Sequence, residues 1–199
     1  MRAKRKIFLG SGNIANCITL AGLLFSVAGC FFALGGKLRL SMSCLIASGI
    51  CDLFDGAVAR KIKRSDWEKA FGIQLDTVVD VVSFGVAPVL IVYSVAGSAW
   101  YMLVVYAFYM LCAVTRLAYF NTTVGVNTHI KHYSGLPVTY ISLILPAVLL
   151  LRSGLASVAA LFVAALLFVL NIKIPKPRGV WYVILPLVAA ALAALWWLL

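Results

Sequence analysis

Six residues of the chain are acidic, Asp52, Asp55, Asp66, Glu68, Asp76 and Asp80, and all fall within 29 consecutive positions. Asp52 and Asp55 are three apart and Asp76 and Asp80 four apart, so on a helix each pair shares one face. These four lie within or at the ends of apolar runs, where a carboxylate is costly and by default functional. The polar stretch 61–71 separates the pairs, and helices joined by so short a loop run antiparallel and bring them face to face. Four converging carboxylates cannot all stay ionised without cations between them. An all-oxygen ligand set favours Mg²⁺, Mn²⁺ or Ca²⁺ over zinc. Two such ions side by side form a clamp suited to in-line displacement at phosphorus.

Small residues mark the same helical faces. Gly56 and Ala59 follow Asp55, and Gly72 lies one turn before Asp76. Small residues commonly serve close helix packing, but beside four aspartates they also let a bulky phosphorylated ligand approach the backbone. Arg60 begins the basic run Arg60-Lys61-Ile62-Lys63-Arg64. Its guanidinium fork can hold a phosphate at two places, whereas Lys61, Lys63 and Arg64 are explained by topology and headgroup attraction.

The elements that carry these residues must be membrane helices. Of 199 residues, 64% are hydrophobic and 12% charged, with a mean hydropathy of +1.05; soluble domains carry roughly 25% charge. About 20 apolar residues cross the hydrocarbon core as a helix, because lipid offers no partner for free backbone groups. Spans are expected near 14–36, 40–60, 72–95, 99–120, 135–151, 154–172 and 180–199. The chain is thus expected to be an all-α polytopic membrane protein of about six to seven helices. With the N-terminus cytoplasmic, fourteen of the 17 Lys and Arg residues fall on the cytoplasmic side, and only Lys37, Arg39 and Arg152 on the other, the bias expected for this orientation.

The net charge of +11 therefore reads as loop topology and not as a nucleic-acid surface. Cys17, Cys30, Cys44, Cys51 and Cys112 sit in apolar runs with no CxxC pair, as small packing residues. Arg2, Lys4, Arg5 and Lys6 precede the first apolar run as in a signal peptide, but an uncleaved first span is the expectation in a chain that spans the membrane throughout.

The ordered set Asp52-x2-Asp55-Gly56-x2-Ala59-Arg60-x11-Gly72-x3-Asp76-x3-Asp80 resembles the signature of the CDP-alcohol phosphatidyltransferase family, with every fixed position present. Asn16-Cys17-Ile18-Thr19-Leu20 resembles that family's opening of the first span. Residues 74–88, Arg116-Leu117-Ala118-Tyr119-Phe120-Asn121 and Gly135-Leu136-Pro137 are similar to the phosphatidylserine synthase branch. The similarity covers roughly 13–178. It implies a family membrane domain over 1–178 and an additional C-terminal helix over 179–199, for which packing or dimer contact is the plain expectation.

The resemblance implies transfer of a phosphatidyl group from CDP-diacylglycerol, or an archaeal analogue, to the hydroxyl of L-serine, giving phosphatidylserine and CMP. Asp52, Asp55, Asp76 and Asp80 would hold two divalent cations, Mg²⁺ or Mn²⁺ with Ca²⁺ as an alternative, and Asp80 would act as general base. Asp52, Gly56, Ala59, Arg60 and Gly72 would contact the CDP-lipid. Arg116, Asn121 and Lys131 are candidates for the acceptor, although snorkelling would equally explain Arg116 and helix capping Asn121. His129 and His132 read as solvated loop residues before metal ligands, and Asp66 and Glu68 as solvated loop charges. A homodimer is also implied, in the cell (inner) membrane with N-terminus and active site cytoplasmic.

Two other readings compete. A sister enzyme would use glycerol phosphate, inositol or inositol phosphate; a phosphorylated acceptor would want more cations than the chain offers outside 61–69. A divalent-cation transporter would carry its carboxylates nearer the bilayer midplane.

Overall fold

The computed structural model describes residues 10, 12–126, 132–175 and 180–198. Helix α1 (Ile14–Leu34) and helix α2 (Leu38–Ala59) form an antiparallel pair. Asn13 caps α1, its side chain accepting from the Asn16 amide at 3.0 Å. The two helices approach through small residues, with Ser26 Oγ donating to Ser48 Oγ at 2.8 Å. A β-carbon on Gly22 would stand 3.1 Å from Cys51 Cβ, so a larger residue would crowd the helix pair. Helices packed in lipid associate through such close approach.

Helix α3 (Asp66–Asp80) passes through a π-helical segment, Val81–Val86, into α4 (Ala87–Ala96). Its start is a capping box: the Glu68 amide donates to Ser65 Oγ at 3.3 Å and the Ser65 amide to Glu68 Oε2 at 2.9 Å. The chain turns helical at residue 66, six residues earlier than hydropathy indicates. Asp66 and Glu68 thus belong to a first helical turn and not to a loop; Glu68 caps it, and Asp66 pairs with Lys69 at 2.9 Å.

One carbonyl within the π segment lacks its usual donor. The Phe84 carbonyl would ordinarily bond the amide four residues on, but that residue is Pro88, which has none. The buried Tyr109 hydroxyl donates to this carbonyl instead, at 2.6 Å. π-turns inside α-helices occur frequently at functional sites, and this one follows Asp80 directly.

Helix α5 (Trp100–Val126) continues past residue 120, so Asn121 lies within a helix and not at its cap. Strand β1 (His132–Ser134), a 3₁₀ turn (Val138–Tyr140) and helix α6 (Ile141–Leu149) follow, then α7 (Gly154–Val169), strand β2 (Lys173–Pro175) and α8 (Trp181–Leu198). β1 and β2 pair antiparallel, His132 with Pro175 and Ser134 with Lys173. The Gly135 amide donates to Ile172 O and the Leu136 amide to Leu167 O, both at 2.9 Å. These bonds satisfy the backbone of a stretch expected to be helical from 135, the condition for irregular chain in a membrane protein. Gly135 has φ +76°, and a β-carbon there would collide with the Phe168 carbonyl.

Among the described residues five helical stretches are long and apolar enough to cross a bilayer: Ile14–Leu34, Leu38–Ala59, Asp66–Ala96, Trp100–Thr123 and Trp181–Leu198. The expected fifth and sixth spans are shorter apolar helices, Val138–Leu149 and Gly154–Val169. The chain has the helical architecture of an integral membrane protein, with one short strand pair. Phe84, Ile91, Tyr109, Ile141, Leu145, Leu161 and Phe168 form a core between α4, α5, α6 and α7. Leu24, Phe31, Leu111 and Leu187 point outward, as side chains solvated by lipid do.

Candidate active site

After the turn 60–65 helix α3 packs against α1, and the aspartates of α2 and α3 converge beside it. One carboxylate oxygen each from Asp52, Asp76 and Asp80 lies within 4.8 Å of the others. Asp55, three residues after Asp52, stands outside this triad. It is buried, and Thr19 Oγ1 on α1 donates to its Oδ2 at 2.6 Å. The four aspartates of the spacing pattern are therefore three converging groups and one that is tied to the first helix.

The donor set of the triad is carboxylate oxygen alone, and its members are near enough to share a cation. That chemistry fits a hard divalent ion such as Mg²⁺ or Mn²⁺. Without a positive partner the three charges repel one another across a partly dry site.

The aspartates open into a cavity of about 230 Å³. One wall comes from α2 and α3: Asp52, Asp55, Gly56, Arg60, Asp76, Thr77 and Asp80. The opposite wall comes from α5, the 3₁₀ turn with the start of α6, and α8: Arg116, Phe120, Asn121, Thr139, Tyr140, Ser142 and Tyr182 among others. The cavity thus sits between an acidic surface and a surface of hydroxyl, amide and guanidinium groups.

Arg60 lies at the mouth, where its Nη2 donates to Tyr182 Oη at 2.8 Å and its guanidinium lies 5.9 Å from the centre of that ring. Arg116 is buried, with its guanidinium 4.9 Å from the centre of the Phe120 ring; it is close enough to act on the charges of Asp52 and Asp80. Asn121 Nδ2 donates to Thr77 Oγ1 at 2.5 Å, linking α5 to the helix that carries Asp76 and Asp80.

Of the residues expected to contact a CDP-lipid, Asp52, Gly56 and Arg60 line the cavity, while Ala59 and Gly72 are not among its lining residues. A β-carbon on Gly72 would stand 3.2 Å from both Asn16 Oδ1 and Arg64 Nη1, so this glycine lets α3 approach α1 and the basic turn. Among the acceptor candidates Arg116 and Asn121 line the cavity. Lys131 and His129 lie outside the described residues, as does the side chain of His132.

Sequence reasoning did not single out Thr19, Thr139, Tyr140, Ser142 or Tyr182 as site residues. Thr19 stands inside the string that resembles the family's first span, and Thr139 and Tyr140 follow Gly135-Leu136-Pro137, so a signal lay beside each. Tyr182 follows Trp181 at a span end, where an aromatic pair reads as an interface anchor.

A profile of the family described as CDP-alcohol phosphatidyltransferase matches residues 12–195. The chain is similar to the CDP-diacylglycerol–serine O-phosphatidyltransferase of Saccharomyces cerevisiae, 34% identical over 142 residues, covering 66% of this chain and 50% of that protein. It is similar to the archaetidylserine synthase of Methanothermobacter thermautotrophicus, 30% identical over 150 residues, covering 74% and 63% of the two chains. With the CDP-diacylglycerol–serine O-phosphatidyltransferase of Methanocaldococcus jannaschii it shares 36% identity over 138 residues, 68% of this chain and 64% of that one. The chain spans half to just under two thirds of the length of these relatives.

Proposed function

Because the chain belongs to the CDP-alcohol phosphatidyltransferase family, we propose that it transfers the phosphatidyl group of CDP-diacylglycerol, or of an archaeal CDP-lipid, to L-serine. The observation that carries this reading is the cavity in which three carboxylates, Arg60 and Arg116 converge between apolar helices. The serine relatives favour this alcohol over glycerol phosphate or inositol phosphate.

In this mechanism the serine hydroxyl oxygen attacks the lipid-side phosphorus of the diphosphate. The bond from that phosphorus to the oxygen bridging to CMP breaks, CMP leaves with the bond's electron pair, and the serine proton passes to a carboxylate. Asp80 is the proposed base; it is the last aspartate of α3, buried beside Asp52 and Asp76. Arg60 holds the diphosphate at the mouth by its fork. Arg116, buried on the far wall, holds the serine carboxylate, and Asn121, bonded to Thr77, fixes the spacing between the walls.

Asp52, Asp76 and Asp80, with Asp55 beside them, would hold two divalent cations. Bound there, such ions neutralise the diphosphate and stabilise the leaving phosphate. The N-terminus and the cavity mouth face the cytoplasm in this reading, since the basic run 60–64 lies at that end and both serine and CMP are water-soluble.

The test is CMP release from CDP-diacylglycerol by the purified protein with Mn²⁺ or Mg²⁺, run with L-serine and in parallel with glycerol phosphate, inositol and inositol phosphate. Serine-dependent release that stops on chelation supports the proposal. Release with a different alcohol alone would keep the chemistry and refute serine. Metal flux in liposomes without CMP release would refute the transferase reading altogether.

A further inference from the structure

We propose that the last helix is a wall of the substrate site, and that Tyr182 is a positioning residue which fixes Arg60 for the diphosphate of the CDP-lipid. The inference rests on the reading of Arg60 as a phosphate ligand and extends it to a residue outside the aspartate motif.

Three observations on α8 point the same way. Tyr182, Leu185, Pro186 and Ala189 recur at helical spacing and all line the cavity, whereas Val183, Ile184, Leu187 and Val188 between them point outward. One face of α8 is thus committed to the cavity and the other to lipid. The far end of the helix is anchored: Trp196 Nε1 donates to Pro146 O at 3.0 Å, and Trp197 Nε1 to Ser43 Oγ at 3.1 Å. At the near end Tyr182 meets Arg60 by both its hydroxyl and its ring.

The polar contact is selective in what it leaves available. Tyr182 Oη accepts from Nη2, which leaves the remaining N–H groups of a five-donor guanidinium for a phosphate. Arg60 is exposed at a helix end, where an arginine side chain has many rotamers to lose on binding. Restricting it beforehand removes part of that cost, an advantage worth roughly threefold to tenfold in affinity. Pro186 supplies no N–H for the Tyr182 carbonyl four residues before it. The apolar residues Leu185, Pro186 and Ala189 then offer the cavity a surface for the part of the lipid next to the diphosphate.

The experiment is a double-mutant cycle on the full chain in detergent micelles: wild type, Tyr182→Phe, Arg60→Ala and the double variant. Each is assayed for KM of CDP-diacylglycerol, KM of serine and kcat, with CDP-diacylglycerol binding measured directly. Tyr182→Phe keeps the ring and removes only the hydroxyl, so folding is preserved; thermal unfolding of each variant checks this. The expected result is a CDP-diacylglycerol KM raised roughly threefold to tenfold, with kcat and serine KM unchanged. In the Arg60→Ala background the second substitution adds nothing, since its effect runs through the guanidinium. An additive effect, an equal shift in both KM values, or no shift at all overturns the role of Tyr182 while leaving the transferase reading intact. A wild-type protein that neither binds nor turns over CDP-diacylglycerol or an archaeal CDP-lipid overturns the underlying reading, and this one with it.

Discussion

The two walls of the cavity are built in different ways. The α2–α3 wall takes its polar groups from two consecutive helices, with four aspartates spaced three and four apart. The opposite wall draws Arg116 and Asn121 from α5, Thr139 and Tyr140 from the 3₁₀ turn, Ser142 from α6 and Tyr182 from α8. The first concentrates charge of one sign where a diphosphate and its cations would react. The second offers dispersed donors of several kinds, as suits recognition of a particular alcohol and a particular lipid. Two consecutive helices can keep their chemistry while the helices around them change, so the walls need not change together.

That contrast is broken most directly at Asp80. Replacing it with Asn keeps the shape of the motif wall and removes the proposed base. CMP release is expected to fall by roughly 10²–10⁴-fold with every acceptor offered, while CDP-diacylglycerol binding persists. A loss confined to serine would assign Asp80 to acceptor recognition and erase the division between the walls. Arg116→Ala probes the other side. Hydrogen bonds to charged groups are worth about 1.5–3 kcal/mol, so kcat/KM for serine is expected to fall roughly tenfold to a hundredfold. KM for CDP-diacylglycerol should hold steady; if it rises in parallel, Arg116 serves the diphosphate instead.

Thr19→Val sharpens the motif wall itself. It keeps the shape of the side chain and removes the donor to Asp55 Oδ2. Groups that orient a ligating carboxylate typically matter about tenfold for metal affinity. The Mn²⁺ concentration for half-maximal activity should therefore rise by about that factor, with turnover at saturating Mn²⁺ little altered. An unchanged Mn²⁺ titration would take Asp55 out of the cation set and leave it a structural partner of α1.

Legibility in the sequence followed the same division. The motif wall could be read because its residues lie on consecutive helices, where spacing alone states which share a face. Even there the pattern treated Asp55 as the equal of the other aspartates; its bond to Thr19 crosses 36 positions and no periodicity reports it. The far wall was legible only at Arg116 and Asn121. Tyr182 is 122 residues from the arginine it holds, and hydropathy shows that a helix exists there without showing what it faces. Hydropathy also misjudged the start of α3, because Ser65 and Glu68 begin the helix with polar groups. It likewise placed a span over Gly135–Pro137, where strand-like pairing takes up the backbone.

The smallest effect on activity is expected from Tyr109, which belongs to neither wall. Its hydroxyl satisfies the Phe84 carbonyl that Pro88 leaves without an amide, one turn beyond Asp80. Tyr109→Phe would strand that carbonyl in a closed core, at a cost of about 1–3 kcal/mol. This should appear as a lower unfolding midpoint in detergent. Turnover per folded molecule should change far less than in Asp80→Asn, because the four aspartates keep their own contacts. The informative comparison is Tyr109→Phe with Tyr109→Phe/Pro88→Ala. An alanine restores the amide that the carbonyl lacks, so the double variant should recover stability. Should the segment also tighten to regular α-helix, its register would shift and Asp80 would rotate relative to the helix beyond it. If stability recovers and turnover falls, the π segment exists to aim Asp80 and the scaffold is part of the motif wall. If both recover together, the segment is packing alone, and the division between the walls stands as drawn.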